Sequence, residues 1–438
     1  MTRLLELDNR ELHRILAPVT PPALGVDLSD ATGLTNRFAT AALSTLVEPG
    51  DTDAALVIAT LGASTALTAI VERWATDRIL RTVAEIDEGA AAVLGGRSRA
   101  RGPRDVAPPT EEVGPVTRLD EALERWLPRL SLRASVRSLE AAANVGAVFV
   151  IPDDELWPTG FGDLGEGAPI GLWVRGRVES LTACDRSIAL VGARAATGYG
   201  EHVAMESAAG LADRGFAVVS GGAYGIDGAA HRAALASDQT TIAFLAGGVD
   251  RLYPAGHTAL LTRIAEHGLL VGELPCGSSP TKWRFLQRNR LIAAASRATV
   301  VVEAGRRSGS LNTAGHAAAI GRPLGAVPGP VTSPASAGCH RLIQEYGAAC
   351  VTSAAEMAEL TGIAEPLGDV AGAGSVDGVR LRVLDALSPR TPRTVREVAT
   401  RAGMSERDAI STLGLLDVES LASEREAGWI KAPPQRER

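Results

Sequence analysis

Residues 187–200 read Ser-Ile-Ala-Leu-Val-Gly-Ala-Arg-Ala-Ala-Thr-Gly-Tyr-Gly, an aliphatic run, a glycine turn carrying one arginine, and the opening of a helix. The same grammar recurs on the C-terminal side. Short apolar runs at 216–220, 241–245, 269–271, 299–302 and 324–327 alternate with Ala-rich helical stretches. Strand-helix-strand repetition of this kind predicts a parallel sheet covered on both faces. Polar work then belongs at the carboxyl ends of the strands, where the loops open, and nearly all the Gly-rich turns fall there.

Toward the N-terminus the period is helical. Residues 1–40 offer a helical start followed by Pro18, Pro21 and Pro22, and read as a weakly defined extension. Residues 41–145 read as a small helical domain, broken at Pro49-Gly50, with an Arg/Gly/Pro-rich loop or linker at 95–115. The α/β region then occupies 146–360, and 361–378 is a linker by composition. Residues 379–432 suggest a winged helix-turn-helix: one amphipathic helix, then helix, Gly turn and helix with Ser405 as N-cap, then an apolar end containing Trp429. Its second helix carries Glu406, Asp408, Asp417 and Glu419 against Arg407. That balance suits protein contact or packing better than duplex phosphates.

Composition narrows the function classes. The chain has 438 residues, 51 Asp+Glu against 44 Lys+Arg, and a net charge of −7, which argues against indiscriminate coating of duplex DNA. Cys184, Cys276, Cys339 and Cys350 show no Cys-x-x-Cys spacing and read as small buried hydrophobes of a reducing compartment. The acidic, interrupted start has no signal-peptide pattern, and no later run approaches the ~20 apolar residues of a membrane helix. A cytoplasmic protein is expected.

Against this acidic background, residues 281–297 hold five cations and two large aromatics, and no acidic side chain occurs from Leu274 to Val302. Lys282 and Arg284 alternate with Trp283 and Phe285, and Arg288, Asn289 and Arg290 begin a helix. Single-stranded nucleic acid, an anion with flat stackable parts, fits such a surface. Some of these arginines could instead cap loop carbonyls.

The glycine turns add candidate anion cradles. In 189–200, Arg194 supplies a charge and the N–H groups near Tyr199–Glu201 are expected to face outward, although an ordinary tight connection reads equally well. The second strand ends in Ser220-Gly-Gly rather than the acidic residue that a dinucleotide ribose requires, so NAD is not expected. No Gly-Lys-Ser/Thr P-loop is present. In Ser220-Gly-Gly-Ala-Tyr-Gly-Ile-Asp227 the glycine density implies positive φ or a close approach. Asp227 and His231 read as an ordinary i,i+4 contact rather than a metal pair. Glu303-Ala-Gly-Arg-Arg-Ser-Gly-Ser310 adds two arginines and a Ser-Gly-Ser turn. Glu303 could be imagined as a general base, but no Ser/His/Asp or Cys/His set assembles, and neither metal nor cofactor is expected.

Together these motifs resemble the DprA/Smf family of bacterial DNA-processing proteins. The matching pieces include Val191-Gly-Ala-Arg194, Tyr199-Gly200, Ser220–Asp227, Gly247-Gly-Val-Asp250 with Tyr253-Pro254, Glu273 with Pro275, Phe285 with Arg288-Asn-Arg290, Ser308-Gly-Ser310 and Val327-Pro-Gly329. The resemblance spans about residues 145–357. It implies an extended Rossmann-like fold, preceded by a small helical (SAM-like) domain and followed by a winged-helix-like domain. It also implies sequence-independent binding of single-stranded DNA, self-association as a homodimer, and loading of RecA during natural transformation or recombination. The DNA-binding positions so implied are Arg194, then Ser220, Gly221, Gly222, Ala223 and Gly225 of the second turn, Lys282, Phe285, Arg288, Asn289 and Arg290, with Ser308, Gly309 and Ser310 lining the pocket. His257 stands where the family usually has Asn, and Leu286-Gln287 replace a Pro-containing step.

The enzyme alternative is a nucleotide N-glycosidase of the related Rossmann-like group. That group resembles this chain in fold but carries Pro-Gly-Gly-x-Gly-Thr followed by a catalytic Glu. Here the corresponding stretch is Gly305-Arg-Arg-Ser-Gly-Ser-Leu-Asn-Thr, without that Glu, so binding without turnover is expected. A third class, a duplex-reading regulator, is disfavoured by the acidic helix of the tail.

Overall fold

The computed structural model describes residues 7–96, 116–363, 373–389, 391–418, 421–425 and 427–432. Most of the loop expected at 95–115, and residues 364–372 of the expected linker, therefore lie outside the described residues.

Asp8 opens α1 (Asn9–Leu16) through a capping box with Glu11, and the Asp30 carboxylate caps α2 (Ala31–Leu46) by accepting from the N–H groups of Thr32 and Gly33. Residues 1–40 are thus not simply an extension. The prolines sit in two short 3-10 turns, Ala17–Val19 and Pro22–Leu24, between capped helices, and Leu12, Leu16 and Val19 are buried. Helices α3 (Thr52–Leu61), α4 (Ala63–Val71), α5 (Thr76–Ala84), α6 (Glu88–Gly95), α7 (Arg118–Trp126) and α8 (Leu132–Asn144) complete the helical part. No single helix among the described residues is long and apolar enough to cross a membrane.

The helical part and the sheet form one compact unit, Met1–Ala364. Phe38 and Trp126 of the helices share a buried cluster with Phe149 and Trp173 of the sheet. Arg37 of α2 pairs with Asp154 in the interior and donates to the Phe149 carbonyl at 2.8 Å.

The α/β part runs β1 (Ala147–Val150), β2 (Leu172–Gly176), β3 (Ser187–Gly192), α9 (Gly198–Ala212), β4 (Ala217–Ser220), α10 (Ile226–Ala236), β5 (Thr241–Leu245), α11 (Thr258–His267), β6 (Leu269–Gly272), α12 (Lys282–Ala295), β7 (Ala298–Glu303), α13 (Ser310–Ala319), β8 (Leu324–Ala326), α14 (Ala337–Glu345), β9 (Ala349–Cys350) and α15 (Ala354–Glu359). The nine-stranded sheet has the order β1-β2-β6-β5-β4-β3-β7-β8-β9. From β6 to β9 every pairing is parallel, and the strands are aliphatic because helices cover both faces. At the other edge β2 pairs antiparallel with both β1 and β6, so the sheet is mixed rather than purely parallel.

Residues 365–438 form a second unit. It contains α16 (Ala373–Ala386), α17 (Val395–Ala402), α18 (Glu406–Val418) and an antiparallel hairpin, β10 (Ala422–Arg425) with β11 (Gly428–Lys431). A Thr394/Glu397 capping box starts α17, and Gly403 at φ 65° ends it. Val383, Leu387, Val398, Leu413, Leu416 and Trp429 fill its core. The first helix begins six residues before the expected 379, inside the stretch read as linker.

Candidate nucleic-acid interface

Strand β3 is the topological switch point: the chain leaves it toward β4, β5 and β6, then returns to its other side as β7. Loops at the carboxyl ends therefore diverge and leave a crevice. A cleft of about 850 Å³ opens there. Its walls are Gly192–Ala195 after β3, Ala223 and Asp227 after β4, Tyr253 after β5, Thr281, Lys282, Phe285, Leu286, Arg288 and Asn289 at the start of α12, and Gly305–Ser310 after β7.

The first two turns interlock. Ile226 N–H donates to the Ala193 carbonyl at 3.2 Å, and Gly225 has φ 72° with a Cβ position that would collide with that same carbonyl. Ser220 is fully buried and its hydroxyl donates to the Leu190 carbonyl at 2.6 Å. Asp227 accepts from the N–H groups of Gly221 (3.1 Å) and Ala223 (3.4 Å), and burial raises its carboxyl above the usual range against the pull of Arg288 and those amides. The Gly222 carbonyl accepts from His257 Nδ1 at 3.1 Å, so the histidine that departs from the family pattern supports the turn.

Arg288 is buried. It donates to the carbonyls of Gly221 (2.7 Å) and Phe244 and to Asn289 Oδ1 (3.2 Å), and burial pushes its guanidinium down to about 10, with Asp227 opposing and Arg194 adding to the shift. Arg290 is buried on Glu273 at 2.7 Å and does not line the cleft. Arg284 holds Glu48 of the helical part at 3.0 and 2.8 Å. Of the two arginines expected to contact phosphate, Arg288 thus lies in the cleft wall with its donors turned to main-chain carbonyls, and Arg290 is spent on Glu273 away from the cleft. The reason is position along the helix: Lys282 and Trp283 in its first turn are exposed, Arg284 to Gln287 are half-buried, and Arg288, Asn289 and Arg290 are buried, so consecutive side chains pointing in different directions all find internal partners there.

The open surface is smaller and sharper. Arg194 is exposed, with its guanidinium carbon 4.8 Å from the centroid of the half-buried Phe285 ring. Lys282, Arg306 and Arg307 are exposed on the opposing walls. Ser308 and Ser310 share a hydroxyl contact at 2.7 Å, Gly309 lies exposed between them, and Asn289 donates to Asn312 Oδ1 at 3.1 Å. Tyr253, 5.7 Å from Phe285 centroid to centroid, lies outside the expected set. Its signal in the sequence was an aromatic within a glycine-rich turn at a strand end.

Three further expectations change. Two of the N–H groups entering α9 turn inward rather than outward: Gly200 N–H goes to Thr197 Oγ1 (3.2 Å) and Glu201 N–H to the Thr197 carbonyl (2.9 Å), and the Thr197 N–H and Oγ1 themselves go to buried Glu303 (2.8 and 2.7 Å). Asp227 and His231 use different partners, since His231 Nδ1 meets Thr241 Oγ1 at 2.8 Å. Cys184, Cys276 and Cys339 are buried, with thiols pushed up to about 12 chiefly by burial, but Cys350 is exposed.

Among the described residues lining the cleft, Arg194, Lys282, Arg288, Arg306 and Arg307 meet the single carboxylate of Asp227. Fold and site define a Rossmann-like α/β protein with a cationic, aromatic-bearing cleft at its switch point. The family described as DNA recombination-mediator protein A matches residues 148–362. A DNA processing protein DprA of Mycobacterium tuberculosis is 44% identical over 374 residues, covering 81% of this chain and 94% of that protein. The Smf protein of Escherichia coli is 41% identical over 192 residues, covering 44% of this chain and 50% of that protein. The X-ray structure of DprA from Streptococcus pneumoniae aligns with a TM-score of 0.53 at 26% identity, covering 74% of this chain and 96% of that one. The chain belongs to the DprA/Smf family of DNA processing proteins.

Proposed function

We propose that this chain binds single-stranded DNA in the switch-point cleft, without sequence preference and without turning it over. The observation that carries this reading is the pairing of exposed Arg194 and Lys282 with the Phe285 ring across one open crevice. Cations hold successive phosphates, the ring takes a base face, and the whole lies on a net acidic chain that keeps the interaction local. Asp227 in the crevice wall and Glu303 at the end of β7 are both engaged by turn residues, which supports binding over hydrolysis. Family membership supports two finer assignments that belong to the same proposal: loading of RecA on the bound strand in the cytoplasm, and action as a homodimer.

The deciding test is fluorescence anisotropy of a labelled strand of about 35 nucleotides against duplex of equal length at two salt concentrations. Tight, salt-sensitive preference for the single strand is expected. Equal or absent binding to both would overturn the reading and direct attention to nucleoside monophosphates and released base. Light scattering and RecA filament assembly on the bound strand test the two finer assignments.

A further inference from the structure

We propose that Tyr253 is a second base-stacking residue, and that with Phe285 it makes a bent two-ring floor on which two successive bases lie at an angle. The inference rests on the single-stranded reading above. Tyr253 is 49% exposed on the wall of the cleft. A large aromatic surface left open beside exposed cations suits a flat partner with an anionic backbone.

The ring geometry decides how a base sits. The two centroids are 5.7 Å apart and the planes are inclined by 54°. A base inserted between two rings needs contacts of about 3.5 Å on each side, hence a gap of about 7 Å, so this pair does not clamp one base. Inclined rings instead offer two separate faces. The Arg194 guanidinium carbon lies over the Phe285 ring, 4.8 Å from its centroid, so a base reaching that ring stacks at the edge of a cation rather than on an empty face.

The loop that carries Tyr253 is fixed on several sides. Gly248 N–H donates to the Ser278 carbonyl at 3.0 Å, Gly277 N–H to Asp250 Oδ1 at 2.9 Å, and Gly256 N–H to Tyr224 Oη at 3.2 Å. Little ordering is left for the moment of binding.

The test uses the full chain and two labelled strands of one length, one of thymidines and one whose sugar-phosphate backbone carries abasic sites. Tyr253→Ala is expected to weaken binding to the thymidine strand about tenfold and to leave the abasic strand unchanged, while Tyr253→Phe binds both as the unsubstituted chain does. Equal loss on both strands, or no loss on either, overturns the stacking role. Arg194→Glu on the same strands reports on the cleft itself. If it weakens both and Tyr253→Ala weakens neither, only the stacking inference falls; if it changes neither, the cleft reading falls and this inference with it.

Discussion

Arg288 donates through Nη1 to the main-chain carbonyl of Gly221 at 2.7 Å, and the two residues are thereby one structural unit linking α12 to the turn after β4. A cation in a basic, aromatic sequence is here an internal strut. Removing it takes the stronger of two arginine charges from the buried Asp227 and the guanidinium donor from the Gly221 and Phe244 carbonyls. Arg288→Ala is therefore expected to cost about 3–5 kcal/mol of stability, read from denaturant midpoints, with DNA binding lost only as a consequence of unfolding. A stable, folded variant that has lost only DNA affinity would show the opposite role.

The exposed cations behave differently. Lys282→Glu and Arg194→Glu are expected to leave the melting temperature nearly unchanged, to weaken single-strand binding about tenfold or more, and to reduce the slope of log affinity against log salt by about 0.7–1 per phosphate contact. Anisotropy titrations at three salt concentrations check both numbers together.

Glu303 and Thr197 make a third, separable case. Glu303→Gln keeps the shape but removes the charge that receives the Thr197 amide and hydroxyl. A loss of about 1–2 kcal/mol is expected, with faster amide exchange concentrated at 193–200. Gly200→Ala should do comparable harm, because a Cβ there would stand 2.6 Å from Glu303 Oε2.

His231 sets an acid limit. Burial, then the charges of His257, Arg288 and Arg232, pushes it from 6.5 down to about 3. The unfolded chain binds a proton below about 6.5 that the folded chain refuses until about 3, so this residue removes stability as pH falls through that window and contributes nothing to the slope above it. Asp227, whose carboxyl is raised, acts in the opposite direction. In His231→Gln the decline of unfolding free energy between pH 6.5 and 3 is expected to be shallower than in the unsubstituted chain. An identical slope in both would exclude the assignment.

Six of the seven parallel strands and their turns were legible because buried parallel strands are short aliphatic runs with glycine at their ends. The two-residue β9 and the strands β1 and β2 were not. Ala147–Val150 has only four residues, and Leu172–Gly176 ends in Arg-Gly, so neither carries an alternating signal of its own. The site was legible as a region, since β3, β4 and β7 end in the motifs that were singled out. Which cation faces solvent was not, because an arginine reads the same whether its partner is a phosphate or the carbonyl of Gly221, and only tertiary packing decides between them. The order within the expected extension 1–40 was hidden for a related reason: Pro18, Pro21 and Pro22 mark turns, and a turn between packed helices has the same composition as a loose end.

The fourteen residues of α12 thus hold two kinds of position side by side. On the single-stranded reading, affinity can be tuned through Lys282 at its exposed start while Arg288 and Arg290 stay bonded to the Gly221 and Phe244 carbonyls and to Glu273. Foldedness and grip are, on that reading, separate traits on one helix, so a survey of tolerated substitutions should divide into two phenotypes, loss of protein at Arg284, Arg288 and Arg290 and loss of hold at Lys282 and Phe285.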